Sequence, residues 1–461
     1  MRLVGLGAQS FWYDESFTVR IAHGPVSGLL DRLSSTESTP PLYYLLASGW
    51  QHVAGSDEAG LRSLSLLCGV ALVPIVFLIG RMVSGETAGL LAAAFAATSP
   101  ELVWMSQEAR SYALFLLLVT ASVATFLLVR ERASPGRLLA WALLAGGALA
   151  SHYFAVFLVL PQAIWLLLEL RERAWWGLLI IAGTLLALSP LALDQRDTSA
   201  ILATGGQSLT TRLPAVPKRF LAAESASEFD TWWVLAATAM LVLAGLLLAA
   251  AATSASERRR LGPLALLSAC GLGLPVLAAL VGADYVNARN LLGVWPLILV
   301  LAATGLSRPR AHPAGLAAGA ALCIAALGVS AAIAASDSLQ RDDWRGAAER
   351  IRAGGVGPVL LLDPAGGSAP LSLYLHVSPL RRGGTRTRTI AVIALRRGRS
   401  WPAFVPPPPF RAVSTAHDAG LAIITYAAPE TRRITPTGIV RAAAHQRIPP
   451  PEGLVQEQPA A

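Results

Sequence analysis

Apolar segments about 20 residues long recur along this chain, and that length matches the hydrocarbon core of a lipid bilayer. Only 14% of the residues are charged, which excludes an ordinary water-soluble enzyme, a disordered chain and a secreted disulfide scaffold. The sequence therefore predicts a polytopic α-helical membrane protein. About ten transmembrane helices are predicted, over residues 61–82, 87–103, 110–130, 137–151, 153–170, 175–193, 232–252, 261–281, 290–306 and 314–335.

Arginines in the short loops set the predicted orientation. Short loops on one side of the predicted helices are rich in arginine, whereas the short loops on the other side carry only Arg110 and Arg289. The arginine-rich side is cytoplasmic by the positive-inside rule, which places residues 1–60 outside. We expect an integral protein of a bacterial inner or plasma membrane. Because residues 1–60 contain no span, we expect a further transmembrane helix upstream of Met1.

The domain organisation follows from these segments. Residues 1–60 form an exterior loop with an acidic pair and an interfacial helix over 41–53, and residues 61–336 form the transmembrane domain. Alternating strand and helix patterns predict a small exterior α/β domain over 337–430, and the composition of 431–461 predicts a disordered tail. The elements predicted in the exterior domain are helices at 342–353 and 369–376 and strands at 359–362, 389–394 and 421–426.

Charge and cysteine usage exclude further classes. The central parts of the predicted helices contain no Asp, Glu, Lys or Arg, which argues against ion-coupled transport. Cys68, Cys270 and Cys323 each lie in an apolar segment without metal-ligand spacing, which favours packing roles. The arginines lie mostly at the ends of apolar segments rather than along a basic stripe with aromatics, so no nucleic-acid partner is predicted.

Two polar clusters lie in the predicted exterior segment. Asp14 and Glu15 are adjacent carboxylates flanked by aromatic residues, which suits a general base and its hydrogen-bond partner, or a solvated acidic loop. The segment 39–44, Thr-Pro-Pro-Leu-Tyr-Tyr, begins the interfacial helix and suits either a substrate-lining role or an aromatic membrane anchor. Both interpretations stay open at this point.

A third cluster is Gln-Glu-Ala-Arg-Ser-Tyr at 107–112, where a helix starts on the exterior side. Arg110 suits a phosphate ligand because a guanidinium can pair bidentately with phosphate oxygens, although snorkelling at a helix end is an equal alternative. Arg62 and Arg289 also open predicted spans from that side, and His152 and Tyr153 lie at an exterior turn. Separate arginines at one depth favour an anionic lipid head group as the ligand.

The order of these motifs resembles a known family. The acidic pair, Pro-Pro-Leu-Tyr-Tyr at 40–44, the segment 107–112, Arg-Asn-Leu-Leu at 289–292 and Trp-Arg at 344–345 follow one another along the chain. This pattern resembles glycosyltransferases of the GT-C fold, specifically family 39-like membrane proteins, which include protein O-mannosyltransferases and lipid A aminoarabinose transferases. The resemblance covers residues 10 to 380 approximately.

The resemblance implies an inverting transfer of a hexosyl or pentosyl group, on the exterior face, from a polyprenyl-phosphate-linked donor to an acceptor hydroxyl on a protein, lipid or glycan. It implies that Asp14 is the general base with Glu15 beside it, and that the donor phosphate is bound by Arg110, Arg62 and Arg289. The pocket residues that it implies are Tyr13, Pro41, Tyr43, Tyr44, Glu108, Tyr112, His152 and Tyr153.

The sequence also departs from the family pattern. Thr39 stands where the family has a His, and Gly293 stands where a Pro usually follows the Arg-x-Leu-Leu stretch. Two other functions are alternatives, a non-catalytic lipid-glycan flippase or transporter and a membrane sensor or scaffold. The acidic pair leaves a divalent metal ion open as a cofactor, but no complete ligand set is visible in the sequence.

Overall fold

The computed structural model describes residues 1–204, 207–224, 255–308, 313–353, 359–363, 365–395, 404–418 and 420–457. The chain divides into two compact units. Unit 1 comprises Met1–Leu6 and Ile21–Ala332, and unit 2 comprises Gly7–Arg20 and Ile333–Ala461. The described part of unit 1 is helical, whereas unit 2 combines helices with a six-stranded sheet.

The helices confirm a polytopic membrane protein. The first, α1, covers Tyr13–His23. Within the described residues, six helical stretches are long and apolar enough to cross a membrane: Glu58–Ser84, Tyr112–Glu131, Tyr153–Arg173, Trp175–Arg196, Arg259–Leu280 and Ala314–Ala335. The helices that follow α1 are α2 Leu29–Thr36, α3 Leu42–Ala54, α4 Glu58–Ser84, α5 Glu86–Thr98, α6 Pro100–Ser106, α7 Tyr112–Glu131, α8 Pro135–Ser151, α9 Val156–Leu170, α10 Trp175–Thr204, α11 Leu209–Arg212, α12 Ala215–Ala222, α13 Ala255–Leu280, α14 Trp295–Leu306 and α15 Ala314–Ala335.

Four predicted spans differ from these six. The span predicted at 232–252 lies outside the described residues. Those predicted at 137–151 and 290–306 are helices, but they are shorter than the six long ones. The span predicted at 87–103 consists of two helices, because α5 and α6 meet at 59°. The bend has a local cause, since Ser99 precedes Pro100 and takes an extended ψ of 120°, as steric clash with a proline ring requires.

The start of α4 and its contact with α5 show how the sequence specifies this region. The Asp57 side chain caps α4 by accepting a hydrogen bond from the Gly60 amide at 2.7 Å. Farther along, Gly80 faces Gly89 so closely that a Cβ on Gly80 would lie 2.8 Å from the Gly89 Cα. Small residues therefore allow these two helices to pack backbone against backbone, as is common in membrane bundles.

The sequence also predicts a loop over 194–230, between the spans at 175–193 and 232–252, and this prediction is wrong for the residues that the structure describes. Helix α10 continues to Thr204, and α11 and α12 follow before residue 224. Polar residues such as Gln195 and Arg196 end an apolar membrane-spanning stretch, but their helix propensity is good, so they do not end a helix. The hydropathy pattern located the end of the span and missed the helix that extends beyond it.

Unit 2 is built on a sheet with the strand order β2-β6-β1-β3-β5-β4. Strand β1 pairs with β3 in parallel, and the other described pairs are antiparallel. Successive residues of β1 enter opposite cores, with Leu360 and Leu362 on one face and Val359 and Leu361 on the other. The elements are α16 Trp344–Ala353, β1 Val359–Asp363, α17 Ser368–Tyr374, β2 Val377–Pro379, β3 Thr385–Leu395, β4 Arg411–Asp418, β5 Leu421–Ile434, α18 Pro436–Gln446 and β6 Glu452–Gln456.

The C-terminal residues correct another prediction. A disordered tail from 431 is wrong for residues 431–457, because β5 runs to Ile434, α18 follows, and β6 lies between β2 and β1. The Thr435 side chain caps α18 by accepting from the Gly438 amide at 3.1 Å. Strand β6 is short and follows three prolines, so its strand character comes from pairing with β1 and β2 rather than from its own propensity.

The position of β6 gives a test on stability. Leu454 is buried in the core on the face of the sheet that also carries Leu360 and Leu362, whereas Val440 on α18 is half exposed. We expect Leu454→Ala to lower the free energy of unfolding by ~2–5 kcal/mol because it leaves a cavity. The matched Val440→Ala should change it by less than about 0.5 kcal/mol. Thermal unfolding of the full-length protein measures both, and equal effects would contradict a buried β6.

Candidate active site

Arg110 forms a buried ion pair that sequence analysis missed. It lies between α6 and α7, and both of its terminal nitrogens donate to the Glu37 carboxylate, with Nη2 at 2.9 Å from Oε2. Both side chains are almost fully buried. Glu37 caps the end of α2, two residues before the 39–44 segment, so its only sequence signal is a carboxylate near that motif. The arrangement is bidentate and therefore geometrically specific.

Hydroxyl groups surround this ion pair. Thr39 and Tyr44 share a hydrogen bond of 2.9 Å between their hydroxyls, and so do Tyr43 and Ser65 at 3.0 Å. Ser65 also donates to the Arg110 carbonyl at 3.4 Å. Burial raises the pKa of Tyr44 well above its usual value, although the charge of Arg110 opposes that rise. The Tyr44 hydroxyl therefore stays protonated and available as a donor.

His152 lies in the turn after α8 and is buried against aromatic rings. Its ring stacks on Phe115 with 4.8 Å between centroids and lies 5.7 Å from the ring of Tyr112. The Nδ1 atom accepts a hydrogen bond from the Phe154 amide at 3.2 Å. Burial, helped by the charge of Arg110, lowers the pKa of His152 to about 3. The imidazole is therefore neutral at physiological pH and serves packing and turn formation.

The remaining pocket residues predicted in this region have defined positions. Tyr153 donates to Gln195 Oε1 at 2.8 Å, and Gln195 donates in turn to the carbonyls of Leu33 and Thr39. Gln195 is fully buried and was not recognised from the sequence. The carbonyl of Pro41 accepts the first hydrogen bond of α3, from the Leu45 amide. Glu108 is fully buried, and its carbonyl accepts from the Arg110 amide at 2.7 Å.

Arg289 belongs to a second charged network. Its Nη2 donates to Glu224 Oε2 at 2.8 Å, Glu224 also pairs with Arg219, and Arg219 Nε lies 3.2 Å from Glu101 Oε1. Burial disfavours ionisation of Glu224, but Arg219 and Arg289 outweigh it and hold the pKa of that carboxyl well below its usual range. The network therefore contains two arginines with two carboxylates close to them.

Tyr112 connects the two networks of unit 1. The Arg289 guanidinium carbon lies 5.9 Å from the centroid of the Tyr112 ring, a cation–π distance. The ring of His152 is a further neighbour of that tyrosine. Arg62 is also in unit 1, is almost fully buried and donates to the Leu6 carbonyl at 2.9 Å. The structure thus brings Arg110, Arg289, Tyr112 and His152 into one continuous set of contacts.

The acidic pair lies in unit 2, and it is helical rather than part of a loop. Asp14 and Glu15 occupy the first turn of α1, where carboxylates are favoured by the helix dipole. Glu15 is fully buried and accepts from the Trp12 amide at 3.4 Å, whereas Asp14 is half-buried. Tyr13 is exposed, and its ring meets Phe17 edge-on at 5.2 Å. Of the two carboxylates, Asp14 is the one that solvent reaches.

Residues from the C-terminal sheet domain hold the segment that carries Asp14. Ser10 Oγ donates to the Asp342 carbonyl at 3.0 Å and accepts from the Trp344 amide at 2.9 Å. The Phe11 amide donates to the Tyr374 hydroxyl at 2.7 Å. At the other end, Arg20 donates to Ser372 Oγ at 2.7 Å. The predicted Trp-Arg motif at 344–345 therefore has a structural role, because it fixes the residues before the acidic pair.

The divalent metal ion that the sequence left open has no ligand cluster in the described part of the chain. Among those residues, no group of three or more His, Cys, Asp or Glu side chains is arranged to hold a metal ion. Cys68, Cys270 and Cys323 are free thiols. The polar side chains that the candidate site does present are arginines, tyrosines and carboxylates.

One family model and two crystal structures of a membrane protein are similar to this chain. A family model described as dolichyl-phosphate-mannose-protein mannosyltransferase matches residues 38–193, a range that includes Arg62, Arg110 and His152 but not Asp14. The crystal structure of ArnT from Cupriavidus metallidurans bound to undecaprenyl phosphate is similar, with a TM-score of 0.52 and 12% identity over 92% of this chain and 95% of that one. Its apo form gives a TM-score of 0.53 and 11% identity over the same shares. No curated protein matches by sequence.

These findings confirm the predicted class, a GT-C-type membrane glycosyltransferase fold with a small C-terminal sheet domain. Within that class, the resemblance to family 39-like membrane glycosyltransferases is confirmed by the match over 38–193. The matched segment includes Arg110 and residues 39–44, whereas Glu37, Asp14 and Arg289 lie outside it.

The buried His152 gives a test on pH. Because its pKa is about 3 in the folded protein and near ~6.5 when unfolded, the unfolded chain binds the extra proton as pH falls. The free energy of unfolding should therefore decrease as the pH falls below about 6.5, by up to ~1.4 kcal/mol per pH unit. His152→Asn keeps an acceptor for the Phe154 amide and should reduce this loss. His52→Asn, at an exposed histidine, is the control, and identical melting temperatures against pH for both variants would contradict the argument.

Proposed function

We propose that the chain transfers a sugar from a polyprenyl-phosphate-linked donor to an acceptor hydroxyl, with inversion, on the exterior face of the membrane. The observation that carries this proposal is the match of the mannosyltransferase family model to residues 38–193, a range that includes Arg62 and Arg110. The ArnT structure with bound undecaprenyl phosphate shares the fold and supports a lipid-phosphate donor by analogy.

Asp14 is the proposed general base. An acceptor hydroxyl is too weakly acidic to attack unaided, so its proton passes to the Asp14 carboxylate while its oxygen bonds to the anomeric carbon. The bond between that carbon and the phosphate oxygen breaks on the opposite face of the sugar, which gives inversion in one step. The phosphate leaves as a stable anion and needs no general acid. Glu15 is buried and accepts from the Trp12 amide, so we assign it a positioning role.

The arginines are proposed to bind the donor phosphate and stabilise the charge that develops on it. Arg289 shares Glu224 with Arg219, and its guanidinium carbon lies 5.9 Å from the centroid of the Tyr112 ring. Arg110 is held bidentately by Glu37, so we assign it to shaping the pocket as well as to charge stabilisation. Arg62 donates to the Leu6 carbonyl and is the third arginine that we propose as a phosphate ligand.

A transfer assay tests the proposal. The full-length protein in nanodiscs is given polyprenyl-phosphate-linked hexose or pentose donors and hydroxyl-bearing peptide, lipid or glycan acceptors. We expect one donor–acceptor pair to yield a glycosylated acceptor and an equal amount of released polyprenyl phosphate. Movement of the donor lipid across vesicles without a new glycosidic bond would support a flippase instead. No sugar transfer, together with a cellular function that is lost on deletion of 337–461 but survives Asp14→Asn, would support a sensor or scaffold.

A further inference from the structure

Six arginines lie together at one end of the sheet in unit 2. They occupy the turn before β3 and the paired ends of β3 and β5, and all six are exposed. We call this surface the basic ribbon, and its members are Arg381, Arg382, Arg386, Arg388, Arg432 and Arg433. The proposed transfer reaction uses none of them, so their clustering calls for a separate explanation.

The pairing register concentrates like charges. Arg386 lies directly opposite Arg433 across the antiparallel pair, and Arg432 lies opposite Thr387. The turn adds to the cluster, because the Arg433 Nη2 atom lies 3.5 Å from where a Cβ on Gly383 would be, beside Arg382. Like charges placed directly opposite each other destabilise a strand pair. A short strand end with this register therefore carries an unfavourable electrostatic interaction.

Internal counter-ions do not relieve this repulsion within the described part of the chain. Arg432 pairs with Glu430 at 3.5 Å, but both side chains are well exposed, and such surface pairs contribute little. The other five arginines form no ion pair or side-chain hydrogen bond with any residue that the structure describes. The charge of the basic ribbon is therefore directed to solvent, where an external anion can neutralise it.

The composition of the ribbon indicates the kind of anion. Neither 379–389 nor 429–435 contains an aromatic residue, so the surface lacks the stacking platforms that single-stranded nucleic acids use. Guanidinium groups without stacking partners suit a surface of phosphate head groups, which they bind through charge. The same chain is anchored in a bilayer through apolar helices such as Ala314–Ala335. The membrane that holds the protein therefore supplies phosphate head groups as a ligand.

We propose that the basic ribbon binds the anionic phospholipid head groups of the membrane that holds the protein. The binding is electrostatic, and each arginine near an anionic bilayer contributes roughly a fivefold increase in association. Docking would restrain the unit that carries Asp14 and Glu15. This inference does not depend on the reaction proposed above, because it concerns a different surface and a different ligand.

Hydrogen–deuterium exchange on the full-length protein tests the inference. Nanodiscs of phosphatidylcholine alone are compared with nanodiscs that also contain phosphatidylglycerol, and exchange is followed in peptides over 379–389 and 429–435. We expect slower exchange in the anionic nanodiscs at low salt and loss of that protection at high salt, because exposed charges are screened. Equal exchange in both nanodiscs at low salt would overturn the proposal.

Variants make the test specific. R386Q/R433Q removes two arginines and should therefore weaken the association of the basic ribbon with anionic lipid by roughly 30-fold, which would appear as loss of the protection that phosphatidylglycerol gives. The control R441Q/R447Q removes the same charge from exposed positions on α18 and at its C-terminal end, and should keep the effect. Exchange in peptides over β1 reports whether each variant is folded. The salt dependence of protection in the wild-type protein tests the proposal independently of the variants. Protection by soluble polyphosphate, with no response to phosphatidylglycerol, would identify a soluble polyanion and overturn the membrane assignment.

Discussion

Asp14→Asn should lower the turnover number for sugar transfer by about 10²–10⁴-fold, which is the usual contribution of a general base. The amide has nearly the shape of the carboxylate but cannot take the acceptor proton. Asp14 is half-buried in the first turn of α1, so the substitution should leave the fold intact. The measurement is turnover by the full-length variant at saturating donor and acceptor, beside a melting temperature.

The control for this prediction is Asp31→Asn, which removes the same charge from an exposed position on α2. It should leave turnover unchanged. Glu15→Gln separates the two members of the acidic pair, because Glu15 is buried and accepts from the Trp12 amide. We expect Glu15→Gln to lower the melting temperature more than Asp14→Asn does. Full activity of Asp14→Asn would rule out Asp14 as the base.

Glu37→Ala should destabilise the protein by ~3–5 kcal/mol, because it leaves the Arg110 guanidinium buried without its carboxylate. Native proteins are stable by only about 5–15 kcal/mol, so this is a large fraction of the total. Glu169→Ala is the matched control. Glu169 also pairs with an arginine, Arg130, but it is substantially exposed, so its loss should cost less than about 1 kcal/mol.

A double variant separates stability from ligand binding. Glu37→Leu with Arg110→Met removes both charges and should recover most of the stability that Glu37→Ala loses, since an apolar pair can replace a buried ion pair. If Arg110 contacts the donor phosphate, this stable double variant should still have a raised KM for the donor. Melting temperatures by intrinsic fluorescence and initial rates against donor concentration provide the two readouts. Equal destabilisation by Glu37→Ala and Glu169→Ala would contradict a desolvated Arg110–Glu37 pair.

The candidate site was predicted in part. Arg110, Tyr112 and His152 were selected from local motifs, and the structure places them in contact with one another or with shared neighbours. Glu37, Glu224 and Gln195 were missed, although each binds a residue that had been selected. A motif marks residues that are close in sequence. The partners of Arg110 and Arg289 lie 73 and 65 positions away, and no local pattern specifies such pairs.

The fold shows the same division between local and distant interactions. The apolar segments predicted most of the described helices because hydropathy is summed over adjacent residues and needs no partner. The 59° bend between α5 and α6 and the helix beyond residue 193 were missed because the prediction took segment length alone and did not weigh Pro100 or helix propensity. Strand β6 was missed because a short strand gains its structure from its neighbours.

The sequence by itself determined that the chain enters a membrane, that its motif order resembles a known family, and which arginines stand apart from the arginine-rich loops. These properties depend on local hydropathy, charge and motif order. Only the tertiary structure decided that Arg110 pairs with the buried Glu37 and Arg289 with the partly exposed Glu224, that His152 is neutral, and that residues 431–457 complete the sheet. These properties depend on desolvation and on contacts between residues far apart in the chain, which exist only once the chain has folded.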